Sequence, residues 1–148
     1  MSHITPVVTQ FTDLECLAAA CQELGLTLEQ GQGLTVTDYY KKSVAVDARV
    51  SLGRYSLGFQ RQADGTLKMV SDFWGIANYC EIPKVREAIK AASGSAERGM
   101  LKLLERPYGV AATKKEIVRN PKYRGFRMQE EKNQEGEVVR LTLVRRTY

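Results

Sequence analysis

Val44-Ala45-Val46-Asp47-Ala48-Arg49-Val50, then Tyr55-Ser56-Leu57-Gly58-Phe59, then Ala63-Asp64-Gly65-Thr66 form the stretch that decides the fold. Val44, Val46, Ala48 and Val50 alternate with Ala45, Asp47 and Arg49, the period-two pattern of a half-buried strand. Tyr55, Leu57 and Phe59 repeat that period in a second strand. Asp64-Gly65 readily adopts the positive φ angles of a tight hairpin turn, so Leu67 to Phe73 is expected to return as the antiparallel partner. The middle of the chain therefore reads as an antiparallel meander.

Toward the N-terminus, Leu26 to Gln30 alternates as a short strand broken by Gly31-Gln32-Gly33, and Leu34 to Lys42 reads as strand or loop. Before it, Leu14, Leu17, Ala18, Cys21 and Leu24 recur at helical spacing, with Gly25 where a C-terminal cap is expected. Thr12-Asp13-Leu14-Glu15 has the capping-box pattern, with Thr12 as the expected N-cap. Ile4 to Phe11 is a first strand, and Pro6 near its start suits an edge position or a strand that begins just after it.

Beyond the meander, Trp74 is expected at the end of the returning strand. Pro83 can open a helix whose buried face is Val85, Ala88, Ile89 and Ala92. Ser93-Gly94-Ser95 breaks the chain, and Met100, Leu101 and Leu104 predict another helix stopping near Pro107. Thr113-Lys114-Lys115-Glu116 is a second capping-box candidate for a short helix ending before Pro121. Tyr123 to Glu130 and Glu137 to Arg146 then form a terminal hairpin around Asn133-Gln134-Glu135-Gly136.

Together these elements predict a single α+β domain over residues 1–148. Its antiparallel sheet has about five to seven strands, with about two to four helices packed mainly on one face. Leu24-Gly25-Leu26 and Arg124-Gly125-Phe126 echo one another, which leaves a weak internal duplication of 1–74 and 75–148 open beside chance recurrence. A length of 148 residues with 43% hydrophobic and 26% charged content suits one folded domain. No apolar run long enough to span a membrane exists, and Met1 to Pro6 lacks the basic and apolar segments of a secretory signal. A cytoplasmic setting is the expectation. Three scattered cysteines and a single histidine argue against both a disulfide scaffold and a Cys/His zinc site. No metal or cofactor is expected.

Charge is unevenly placed. Residues 1–74 carry 6 basic and 8 acidic side chains, and residues 75–148 carry 16 and 9. The densest basic stretch is Lys114, Lys115, Arg119, Lys122, Arg124 and Arg127, opposed within its span only by Glu116. It reads either as a solvated face or as a site for an anionic partner, nucleic acid included.

Catalytic constellations are scarce. Ser2-His3 lacks a third group and an oxyanion nest, so a ligand or capping role suits it better than catalysis. Cys21 lies on the apolar stripe, whereas Cys80, following Tyr79 in an expected loop, is the thiol expected to be exposed. Asp38, Asp47, Asp64 and Asp72 offer no paired-carboxylate spacing, and Gly31-Gln32-Gly33 lacks the third glycine of a phosphate cradle. Trp74, the lone tryptophan, reads as a core anchor or, with Phe73 and Tyr79, as a partner-binding aromatic. Tyr39, Tyr40, Trp74, Tyr79 and Tyr108 would stack on bases if folding brought them to one surface.

Gly58-Phe59-Gln60-Arg61-Gln62-Ala63-Asp64-Gly65-Thr66, continuing to Val70-Ser71-Asp72-Phe73-Trp74-Gly75, resembles the uncharacterised family named hypothetical chloroplast open reading frame thirty-five. Met1-Ser2-His3 opening a strand and capped helix, Arg106 with Tyr108, Gly125-Phe126 and Arg145-Arg146 extend the resemblance over most of the chain. Leu34 to Lys42 and the long region from Ser93 to Arg106 depart from that pattern. The family occurs in cyanobacteria, algal plastids, other bacteria and bacteriophages, so the resemblance implies plastid stroma or host cytoplasm as alternative settings and an accessory role beside an AAA-class ATPase. The expected function is a small non-catalytic adaptor that binds a protein partner. A nucleic-acid-binding protein using the basic C-terminal third is the alternative, ahead of an enzyme using His3 or Cys80.

Overall fold

The computed structural model describes residues 3–146, and its organising feature is the hairpin at Asp64-Gly65. Gly65 sits at φ 89°, and Asp64 Oδ1 accepts from the Thr66 N–H at 3.0 Å and the Thr66 hydroxyl at 2.6 Å. In chain order the elements are β1 (Thr5–Val8), α1 (Leu14–Glu23), β2 (Leu28–Gln30), β3 (Thr35–Thr37), β4 (Ser43–Ala45), β5 (Ala48–Ser51), β6 (Ser56–Arg61) and β7 (Leu67–Ser71). They continue with α2 (Phe73–Tyr79), α3 (Pro83–Ala91), α4 (Ala96–Arg119), a 3-10 turn (Pro121–Tyr123), β8 (Phe126–Lys132) and β9 (Val138–Arg145).

The main sheet is five-stranded and antiparallel throughout, in the order β1-β7-β6-β5-β2. Pro6 lies in β1 opposite Val70, at the sheet edge, where its missing N–H leaves no central ladder bond unmade. Leu57 and Phe59 of β6 and Leu67 and Met69 of β7 point to one face and are sealed beneath the helices, in one core with Leu17, Ile76, Val85 and Met100. Each such side chain stabilises the fold by about 1.5–3 kcal/mol when taken out of water. Helices thus cover one face of an α+β domain, as the sequence predicts.

The opposite face is covered by the β3-β4 hairpin. Val36, Val46 and Val70 form a small second core there. Gly58 makes that contact possible: a Cβ on it would lie 2.5 Å from Val46 Cγ1 and 2.6 Å from Val36 Cγ2. The strand predicted from Val44 to Val50 is accordingly two strands. The Val46 N–H donates to Leu34 O at 3.0 Å while the Asp47 N–H donates to Phe59 O at 2.9 Å. The chain crosses from hairpin to sheet between those residues and keeps its alternating burial across the break.

Four further expectations are corrected. The N-cap of α1 is Asp13, not Thr12: Asp13 Oδ1 accepts from the N–H groups of Glu15 at 2.9 Å and Cys16 at 3.2 Å. Trp74 lies in the first turn of a helix, because Asp72 ends β7 and caps α2 through the Gly75 N–H at 2.9 Å. Helix α4 does not stop near Pro107 but runs 24 residues to Arg119, and Thr113 lies in its interior rather than at a cap. An internal proline costs about 3 kcal/mol. Contacts on both sides of it offset that cost: Leu104 and Pro107 are buried, the Tyr108 hydroxyl accepts from the N–H groups of Thr12 and Asp13, and Lys115 pairs with Asp13. The helix ends before Pro121, as expected. Among the described residues no helix is long and apolar enough to cross a membrane.

Candidate functional site

Asp72 organises one face of the molecule. Its side chain is fully buried; Oδ1 caps α2, and Oδ2 accepts from the Tyr39 N–H at 3.0 Å, which ties the β3–β4 loop to that helix. The loop is held at its own base by the Lys42 N–H donating to Asp38 Oδ1 at 2.9 Å, with Lys41 in the left-handed region at φ 65°. Tyr39 and Tyr40 are thereby carried to the surface beside α2.

Four aromatic side chains meet there in a continuous chain. Tyr40 meets Tyr39 edge-on at 5.3 Å, Tyr39 meets Trp74 edge-on at 6.0 Å, and Trp74 meets Tyr79 edge-on at 5.9 Å. Each is between 38% and 62% exposed, so the cluster is a surface and not part of the core. Beneath them lies the buried ring of Tyr55, 5.8 Å from Tyr79. Gly75 lets that ring approach α2, since a Cβ there would come within 2.7 Å of it. The Tyr55 hydroxyl is buried without a hydrogen-bond partner among the described residues, and burial pushes its phenol pKa up.

Arg54 completes the arrangement. The turn before β6, with Gly53 at φ 97°, lays its guanidinium 4.5 Å from the Tyr79 ring centre and 5.7 Å from those of Tyr39 and Tyr55. Such contacts contribute about 0.5–1 kcal/mol each at exposed sites. No carboxylate among the described residues forms an ion pair with Arg54. The cation is positioned, exposed on one side and left available to an incoming anion.

Of the three residues predicted to bind a partner, Trp74 and Tyr79 share this face. Phe73 does not: it is 3% exposed and belongs to the main core, where it anchors the start of α2. Tyr108 is also elsewhere, its ring 4.5 Å from Phe11. Tyr55 reads from the sequence only as an apolar strand position, and Arg54 carries no signal beyond Gly53-Arg54-Tyr55 in a short turn between two strands.

The six basic residues of the C-terminal third separate into two groups. Lys114 pairs with Glu130, and Lys115 with Asp13 at 2.6 Å and Glu15 at 3.0 Å. The Lys115 hydrogen bond holds the Asp13 carboxyl below its usual range, and the two carboxylates raise the lysine. These lysines clamp α4 to α1 and to the hairpin, with their charges paired to carboxylates. Arg119, Arg124 and Arg127 line a depression near the end of α4, while the Lys122 ammonium lies 4.9 Å from the Tyr123 ring centre.

Cys80 is not an exposed thiol: it is 7% exposed as the C-cap of α2. Cys16 and Cys21 are buried as well, and burial pushes the Cys21 thiol up to about 12. His3 is exposed and borders a shallow depression shared with Trp74, Asn78 and Glu97; Ser2 lies outside the described residues. Among the described residues no group of three His, Cys, Asp or Glu side chains is placed to hold a metal ion.

The stretch from Gly58 to Gly75 divides by role. Gln60 Nε2 donates to Ala45 O at 2.6 Å, Arg61 Nη1 donates to the carbonyls of Thr12 and Gly65, both at 2.9 Å, and Gln62 bonds Thr66 across the turn at 3.0 Å. These residues build the hairpin. Asp72, Trp74 and Gly75, in its continuation, build the aromatic face. Compared with known proteins, the chain matches no family model, no curated protein and no solved structure.

Proposed function

We propose that this protein is a small non-catalytic adaptor whose aromatic face docks a protein partner. The observation that carries the reading is the meeting of Tyr39, Tyr40, Trp74 and Tyr79 on one face, with an Arg54 guanidinium against the Tyr39 and Tyr79 rings that has no ion-pair partner among the described residues. Trp, Tyr and Arg are enriched among the residues that carry the binding energy of protein interfaces: Trp and Tyr bury large, rigid area with few torsions to fix, and the planar fork of Arg matches a carboxylate. The edge-to-face rings already restrict one another, so little side-chain entropy remains to be lost on binding. The complementary partner presents a carboxylate to Arg54 and apolar side chains to Trp74 and Tyr40. The family resemblance supports the same accessory role, with an AAA-class ATPase as the implied partner and the cytoplasm as the implied compartment.

Trp74 is the only tryptophan, and at 41% exposure its emission reports on this face directly. Tagged wild-type protein, Trp74→Ala and Arg54→Ala are compared as baits in nuclease-treated and untreated extracts. The captured protein is then purified and titrated while the Trp74 emission is followed. A nuclease-resistant partner that both substitutions release, and that shifts the emission to shorter wavelength, is the expected result. Retention of the same partner by both variants would overturn the reading.

A further inference from the structure

We propose that the arginine-lined depression near the end of α4 binds single-stranded nucleic acid, at a site separate from the aromatic face. The depression has a volume of about 500 Å³ and is walled by Arg119, Arg124, Arg127 and Arg146. Its apolar lining includes Val118, 82% exposed, with half-buried Tyr123, Phe126 and Met128. The Arg146 N–H donates to Gly125 O at 2.8 Å, which fixes the last of these arginines to the start of β8.

Folding concentrates charge here more sharply than the sequence suggests. Residues 117–129 and 142–146 contribute six basic side chains (Arg119, Lys122, Arg124, Arg127, Arg145 and Arg146) and no acidic one. None of the six forms an ion pair with a described residue. The glutamates of the hairpin lie toward its turn, where Glu130, Glu131 and Glu137 neutralise Lys114, Arg140 and Arg106. One end of the hairpin is thus balanced and the other is wholly cationic.

The lining selects among polyanions. Guanidinium groups match phosphate oxygens with paired, coplanar donors. The same depression is lined by two aromatic rings that each meet a cation: Arg145 is 5.7 Å from the Phe126 centre and Lys122 is 4.9 Å from that of Tyr123. Unstacked bases use such rings as platforms, whereas an acidic peptide uses only the charges and a duplex offers no free base face.

The test is fluorescence anisotropy of a labelled oligothymidylate over a range of salt. Four phosphates neutralised on a single strand give a log–log salt slope of about −3, a loss of about 50-fold in affinity from about 50 to about 200 mM salt. Arg124→Ser/Arg127→Ser is expected to reduce that slope by about 1.4, and Arg119→Gln alone by about 0.7. Both act on exposed positions, and melting midpoints by circular dichroism check that the fold is kept. Arg140→Ser removes one charge at the neutralised end, and Trp74→Ala alters the other face; both are expected to bind as wild type. Any of three results would overturn the proposal: equal loss with Arg140→Ser, loss with Trp74→Ala but not with the arginine variants, or competition by polyglutamate as effective as by unlabelled oligothymidylate. An equally tight duplex probe would overturn the single-strand assignment.

Discussion

Two glycines of one helix are expected to respond to the same substitution with opposite signs. Gly99 faces α3, and a Cβ on it would lie 2.8 Å from Ile89 Cα, 2.9 Å from Ile89 N and 3.0 Å from the Ala88 carbonyl carbon. These are backbone atoms, which cannot rotate aside, so Gly99→Ala must move one helix away from the other. Overpacking of this kind costs about 1–3 kcal/mol, and rigid neighbours place it near the upper end. Replacing a helical glycine by alanine returns about 1 kcal/mol. The net expectation for Gly99→Ala is a loss of about 2 kcal/mol. Gly109, ten positions further along α4, meets nothing within 4 Å, so Gly109→Ala is left with the propensity gain of about 1 kcal/mol. With a urea m-value of about 2 kcal/mol/M, the two unfolding midpoints separate by about 1.5 M, with wild type between them. Circular dichroism and Trp74 fluorescence follow the transition, and their coincidence checks two-state behaviour. If Gly99→Ala proved as stable as wild type, α3 and α4 could not approach as closely as described. The wall of the core formed by Val85, Ile89 and Met100 would then be misplaced.

Two further outcomes concern the site and its supports. Tyr55→Phe removes a buried hydroxyl that has no partner among the described residues, so it is expected to raise stability by about 1 kcal/mol; a loss of similar size in urea unfolding would show that the hydroxyl is satisfied. The Asp13 carboxyl is held below its ordinary range chiefly by the Lys115 hydrogen bond. Its stabilising contribution is therefore complete above the unfolded value near 3.8 and declines as pH falls through the lower folded value. Asp13→Asn keeps a competent N-cap while removing that titration, so its melting temperature should fall less steeply on acidification than that of wild type. Parallel profiles for the two proteins would refute the assignment.

Signals confined to neighbouring residues were readable in advance. The Asp64-Gly65 turn, the alternation through Leu57 and Phe59, the stripe of α1 and the terminal hairpin each depend on a few consecutive side chains. Backbone geometry then fixes where those side chains point. The misreadings arose where distant contacts overrode a local rule. Pro107 did not end α4, because Leu104, Tyr108 and Lys115 hold the helix against α1 on both sides of it. The Val44–Val50 strand divided because Gly58 admits Val36 and Val46 onto the sheet. Thr12 lost the cap to Asp13, whose carboxylate serves both the helix and Lys115.

The candidate surfaces follow the same division. The residue types were evident from the sequence: aromatics near Trp74, and a basic excess after residue 113. Which of them share a surface was not, since Arg54, Tyr39 and Trp74 belong to three separate segments: Asp72 ties the second to the third, and the Arg54 guanidinium meets the Tyr39 ring. Likewise, only folding paired Lys114 and Lys115 with carboxylates while gathering Arg119, Arg124, Arg127 and Arg146 around one depression. Composition and periodicity determined the α+β class, the meander and the sign of the charge. Tertiary structure decided which charges remain exposed and which rings meet, because neutralisation and clustering are set by distances between segments that the order of residues does not encode locally.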